Sequence, residues 1–84
     1  WPVAFTSLNG KRLKIWNAEI DKNDYPQASP GEVVHISNSQ SFSVACGNQK
    51  AIKITEVQPE GKTKMAAKQF LNGGQIKLGT ILGD

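Results

Sequence analysis

The 84 residues hold one cysteine, one histidine and one tyrosine, and each scarcity excludes some chemistry. With Cys46 alone, no internal disulfide can form, and a reducing compartment, the cytoplasm, is expected. Cys46 alternates with Phe42 and Val44, which reads as a core side chain, not a reactive thiol. His35 has no second imidazole and no Cys-x-x-Cys run beside it, which argues against a zinc site and a catalytic histidine. No G-x-S-x-G elbow is present. Gly61-Lys62-Thr63 is like the tail of a phosphate-binding Walker loop, but Glu56 stands where its first glycine is required. The carboxylates Glu19, Asp21, Asp24 and Glu32 fall in or beside one loop, a solvated arrangement and not an acid–base pair. No apolar run approaches the roughly 20 residues of a membrane helix, and the opening residues lack the basic start and apolar stretch of a signal peptide. Aromatics are only 7 % of the chain. Trp16 is read as core, with Trp1 and Tyr25 peripheral, so stacking of single-stranded bases is not expected. No internal repeat or low-complexity tract occurs. No catalytic residue, metal site or cofactor site is therefore expected in residues 1–84.

What remains is an ordinary folding composition, 38 % hydrophobic and 20 % charged. The length fits one domain, which buries about 60–65 % of its unfolded surface. The chain opens with Trp1-Pro2 instead of Met and is expected to be one domain, 1–84, cut from a larger protein.

The formal net charge of +3 is unevenly spread. Residues 10–16 hold Lys11, Arg12 and Lys14 and no acid, while residues 17–32 hold four acids against Lys22. Residues 50–77 hold six lysines against Glu56 and Glu60. If the two basic segments meet in space, they form the footprint of a polyanion partner.

Turn and strand signals alternate along the chain. Asn9-Gly10 marks a turn. Residues 12–20 read as a strand whose apolar face switches from Leu13 and Ile15 to Trp16, Ala18 and Ile20, as at a bulge. Residues 32–37 and 41–46 follow as strands, the second with Phe42, Val44 and Cys46 inward. Ala51 to Val57 forms another, with Ile52 and Ile54 inward. One short helix near residues 66–72 is expected, with Ala66 a poor N-cap, Gln69 reaching back, Met65 and Phe70 as a staple, and Gly73 at a position of positive φ. A last extended segment covers Gln75 to Leu82. The expected fold is mainly β, a small closed β-barrel with one short helix. Its expected core includes Leu13, Ile15, Val34, Ile36, Phe42, Val44, Ile52, Ile54 and Phe70.

Residues 57–74 carry most of the functional information. A strand end meets the turn Pro59-Glu60-Gly61, and Lys62, Lys64 and Lys68 surround the helix entry. Lysines clustered on a turn of a small β domain suit phosphate groups.

Several segments, in this order and spacing, resemble one family. They are Asn9-Gly-Lys-Arg-Leu-Lys-Ile-Trp16, Pro30-Gly-Glu-Val33, Val44-Ala-Cys-Gly47, Ile54-Thr-Glu-Val-Gln-Pro-Glu-Gly-Lys62, Met65-Ala-Ala67, Phe70-Leu-Asn-Gly73 and Gly79 to Gly83, with Trp1-Pro2 ahead of them. Nearly the whole chain is similar to the C-terminal domain of the methionyl-tRNA formyltransferase family. The resemblance implies a barrel like the oligonucleotide-binding fold. It implies a parent enzyme that moves a formyl group from 10-formyltetrahydrofolate to methionyl initiator tRNA. The parent's catalytic residues would lie in an N-terminal domain, which would be a partner of this one. The domain alone would be a monomer, inactive in formyl transfer and without a cofactor. Its basic face would meet tRNA, with matching positions at Lys11, Arg12, Lys14, Lys62, Lys64 and Lys68. Two departures stand out: Ala66 replaces a frequent Ser or Thr, and Gly74-Gln75 replaces a frequent basic residue, with Lys77 nearby. The alternative is a packing or oligomerisation module of a folate- or sugar-directed formyltransferase.

Overall fold

Asn9 and Gly10 take φ of 53° and 81°, the backbone of a two-residue hairpin turn, which Asn-Gly favours. The computed structural model describes residues 4–83, so the reading of Trp1 lies outside it. The turn joins β1 (Ala4–Leu8) to β2 (Lys11–Asp21), with Leu8 opposite Lys11 and Ala4 opposite Ile15. β1 lies ahead of the first strand expected from the sequence.

β2 then pairs with β5 (Ala51–Pro59). Register shifts fall between Ile15 and Asn17 and between Asn17 and Ala18, the bulge implied by the switch of apolar face. Leu13 and Ile15 are buried before it, and Ala18 packs on the core after it. Ile20 does not follow Ala18 inward and is exposed.

β3 (Val33–Ser37) and β4 (Ser41–Ala45) form a second hairpin. A register shift between Val33 and His35 puts Val33 in the core and leaves Val34 half-buried, the reverse of the expected phase. β4 has strands on both sides, and all five of its residues are buried, Ser41 and Ser43 included. Cys46, expected in the core, is exposed. The strand ends at Ala45, and the Cys46 N–H donates to the Lys50 carbonyl (2.7 Å) within the turn to β5.

The sheet is open. Its order is β1-β2-β5-β4-β3, with the two-residue β6 (Met65–Ala66) also on β5. No β1–β3 ladder closes it into the expected barrel. The segment after the helix lies between these edges instead. Gly79 N–H donates to Val33, Val33 N–H to Thr80, Leu82 N–H to Gly31, and Gly83 N–H to Ser7 (2.9, 2.8, 2.8 and 2.8 Å). Gly79 and Gly83 sit at φ of 90° and 94°, so this strap cannot run as an extended strand. Only the bridge between Glu32 and Ile81 has strand pairing. Ile76 and Leu82 are buried, but Leu78, expected to share their alternation, is exposed.

Helix α1 (Ala67–Asn72) packs on β4 and β5 through Ala67 and Phe70. The Phe70 and Phe42 ring centroids are 6.3 Å apart, within the range of favourable aromatic pairs. Ala66 is the N-cap, and no side chain caps the helix, so Gln69 does not reach back. At the other end Gly73 keeps φ of −75°, and the positive φ belongs to Gly74 at 75°. Gly73 and Gly74 N–H donate to the Phe70 and Leu71 carbonyls (3.1 and 3.0 Å).

At the end of β2, the Asp21 carboxylate accepts hydrogen bonds from Tyr25 Oη and the Asn23 N–H, both at 2.9 Å. Partial burial alone would raise its pKa. The Asn23 N–H and the Ser43 and Tyr25 hydroxyls outweigh that and hold the carboxyl below its ordinary value. The native pKa is therefore below the unfolded one. The stabilisation is present above the unfolded value of about 3.9 and is lost as pH falls through the native value. We expect denaturant midpoints to drop between about pH 6 and about pH 3, and Asp21→Asn to narrow that drop. An equal drop in the variant would show that Asp21 does not contribute to it.

Candidate nucleic-acid interface

The run Gln58 to Lys62 closes β5 and organises the surface beside it. Pro59 sits opposite Leu13, where the ladder ends. The Lys62 N–H then donates back to the Pro59 carbonyl (3.0 Å), with Gly61 at φ of 76°, a conformation that costs glycine little. Glu60 clasps β2 twice. Its N–H donates to the Arg12 carbonyl, and its Oε1 accepts from the Arg12 N–H, both at 2.9 Å.

Gln58 fixes the side chains. It lies opposite Lys14 in the ladder. Its Nε2 donates to the Lys62 carbonyl, and its Oε1 accepts from the Trp16 indole N–H, both at 2.9 Å. One amide thus ties the indole to the lysine-bearing turn.

The two basic segments meet over that indole. Lys14 Nζ lies 5.4 Å from the Trp16 ring centre and Lys64 Nζ 4.9 Å, both within cation–π range. Lys11, Arg12 and Lys62 line a single cleft of about 280 Å³ together with Leu13, Phe70 and Gln75. Five of the six sequence-predicted cations are therefore gathered around the β2–β5 turn end. Lys68 stands on α1, exposed, and makes no hydrogen bond, ion pair or ring contact among the described residues. The ion pair found among those residues joins Lys50 to Asp24 (2.7 Å), so none of the six cations is neutralised by one.

Two aromatic side chains belong to this surface. Trp16, expected in the core, is only half-buried, because it alternates with inward Leu13 and Ile15 and the register shifts that turn Ala18 inward come only after Ile15. Phe5 is 58 % exposed. Arg12 Cζ lies 5.2 Å and Lys14 Nζ 5.4 Å from its ring centre. The expected absence of exposed aromatics among the cations does not hold. Simple alternation with Leu13 and Ile15 was the signal for Trp16, and the face switch read at Ile15–Trp16 pointed the other way. Phe5 had none once β1 went unrecognised.

Among the described residues, no group of three or more His, Cys, Asp or Glu is placed to hold a metal ion. No helix there is long and apolar enough to cross a membrane.

The family model described as "Formyl transferase, C-terminal domain" matches residues 1–75, which include all six cations. The chain belongs to this family. Methionyl-tRNA formyltransferase of Bacillus licheniformis is 46 % identical over 83 residues, covering 99 % of this chain and 26 % of that protein. The protein of the same name from Symbiobacterium thermophilum is 45 % identical over 80 residues, covering 95 % and 24 %. That of Bacillus subtilis is 43 % identical over 84 residues, covering 99 % and 26 %. This formyl transferase C-terminal domain thus spans about a quarter of the length of the curated relatives it matches.

Proposed function

We propose that the chain is the non-catalytic, tRNA-binding C-terminal domain of a methionyl-tRNA formyltransferase. In this reading the parent formylates methionyl initiator tRNA with 10-formyltetrahydrofolate in the cytoplasm, through an N-terminal catalytic domain. The present domain, a monomer needing no cofactor, holds the tRNA. The observation that carries the reading is the convergence of Lys14 and Lys64 on Trp16, neither of them in an ion pair among the described residues. Two ammonium groups held near one ring raise the local positive potential, which favours a phosphate beside them. Lys11, Arg12 and Lys62 extend the positive surface along the cleft. Such contacts position an RNA without reading its bases. The likeness to an oligonucleotide-binding fold is part of this proposal: a small antiparallel β domain offering one sheet face to nucleic acid.

The test is to replace Lys14, Lys62 and Lys64 together by Ala. All three lie on an exposed or half-buried surface, so folding should be retained. We expect weaker binding to every tRNA alike, and a plot of log affinity against log salt flattened by about two to three. Unchanged low-salt affinity would favour the second reading, a domain that packs on its catalytic partner. One observation supports that alternative: exposed Leu78 borders an apolar depression of about 420 Å³ with Tyr25, Pro26 and Val34, along the β3 edge.

A further inference from the structure

We propose that the face of β1 and β2 carrying Phe5 stacks an unpaired nucleobase, so that the domain prefers RNA with an unstacked nucleotide over uninterrupted duplex. This rests on the reading of the surface as RNA-binding and adds to it what part of the RNA is held.

Phosphate contact alone does not account for this face. Phosphates need cations, and a phenyl ring left 58 % exposed offers them nothing while costing apolar surface in water. Phe5 lies directly opposite Lys14 in the β1–β2 ladder, on the sheet face that also bears Arg12. Lys14 Nζ stands 5.4 Å from the ring centres of both Phe5 and Trp16. The result is a row of aromatic, cation and aromatic groups across two strands. Aromatic platforms among cations are how single-stranded nucleic acids are held, bases on the rings and phosphates on the cations.

Space and charge point the same way. Phe5 and Arg12 border two depressions, one of about 250 Å³ lined also by Lys14 and Gln58, the other of about 550 Å³ lined also by Thr6 and Gly10. Glu60 borders both. One of its oxygens accepts the Arg12 N–H. A carboxylate there repels phosphate, but it accepts a hydrogen bond from the amino group of a base. A base stacking on Phe5 displaces Arg12 or Lys14 from the ring and frees it to meet a flanking phosphate.

The test measures affinities of the chain for an unstructured oligoribonucleotide and for an RNA duplex of equal length, at one salt concentration. Phe5→Ala and Phe5→Tyr are compared with the parent, and Phe5 is exposed enough that neither change should unfold the protein. One stacked base is worth about 5- to 150-fold in affinity. We expect Phe5→Ala to lose a factor in that range for the single strand, to stay within about twofold for the duplex, and Phe5→Tyr to restore single-strand binding. If Phe5→Ala binds the single strand as the parent does, or weakens both ligands equally, the stacking proposal is overturned while the phosphate-binding reading stands. If the parent binds neither RNA, both fall together.

Discussion

Phe70→Ala should destabilise the domain by about 3–5 kcal/mol, the usual cost of deleting a buried phenyl ring. Phe70 is 4 % exposed, and its ring lies against Phe42, which is fully buried between β3 and β5. α1 has six residues and no side-chain cap, so it is too short to persist without tertiary contacts. Phe70 and Ala67 supply its buried face. Without the ring, the helix loses its anchor and β4 loses part of its cover. The loss is comparable to the whole stability of a marginal small domain. Denaturant unfolding checks this through the midpoint at an unchanged slope. A midpoint equal to the parent's would mean that α1 does not stabilise the sheet.

Gly31→Ala should rank next. Gly31 takes φ of 89°, and a Cβ there would stand 2.4 Å from the Leu82 carbonyl oxygen, which is backbone and cannot turn away. The Gly31 carbonyl also accepts the Leu82 N–H, and its own N–H donates to Ala45, both at 2.8 Å. The backbone conformation alone costs of order 1–3 kcal/mol for a side-chain-bearing residue, and the clash adds to it. The strap of residues 79–83 would have to leave the edge of β3. Besides a lower unfolding midpoint, we expect faster amide exchange at Leu82 and Gly83, with β2 and β5 protected as before. Parent-like exchange at Leu82 would show that the strap tolerates the methyl group and is not held by this close approach.

The legible parts of the fold were those with local signals. The β2 bulge followed from a change of apolar face within one strand, and α1 was placed at its observed ends by Ala66, Phe70 and the glycines after it. The misplaced residues needed information from their partners. Asn9-Gly10 announced a hairpin, yet β1 has only Leu8 fully buried and so shows no alternation of its own. Val33 and Val34 are both good strand residues. Which of them points inward was decided by the irregularity opposite β4. Cys46 fits the alternation of Phe42 and Val44, but the strand stops one residue earlier. Barrel closure was the least legible feature, because it depends on two edges far apart in sequence, and glycines at positive φ keep the strap between them irregular. At the site, the charge pattern identified both basic segments. The convergence of Lys14 and Lys64 required the Gln58 bridge between Trp16 and the turn, which no spacing rule contains.

The proposed contact between the cations around Trp16 and RNA phosphates is read from the affinity of the chain for tRNA as a function of salt. With about three to five phosphates engaged, affinity should fall about 40- to 500-fold between about 50 and 200 mM salt. An affinity that stays flat across that range, or an absence of tRNA binding at the lowest salt, would mean that these cations do not hold RNA phosphates.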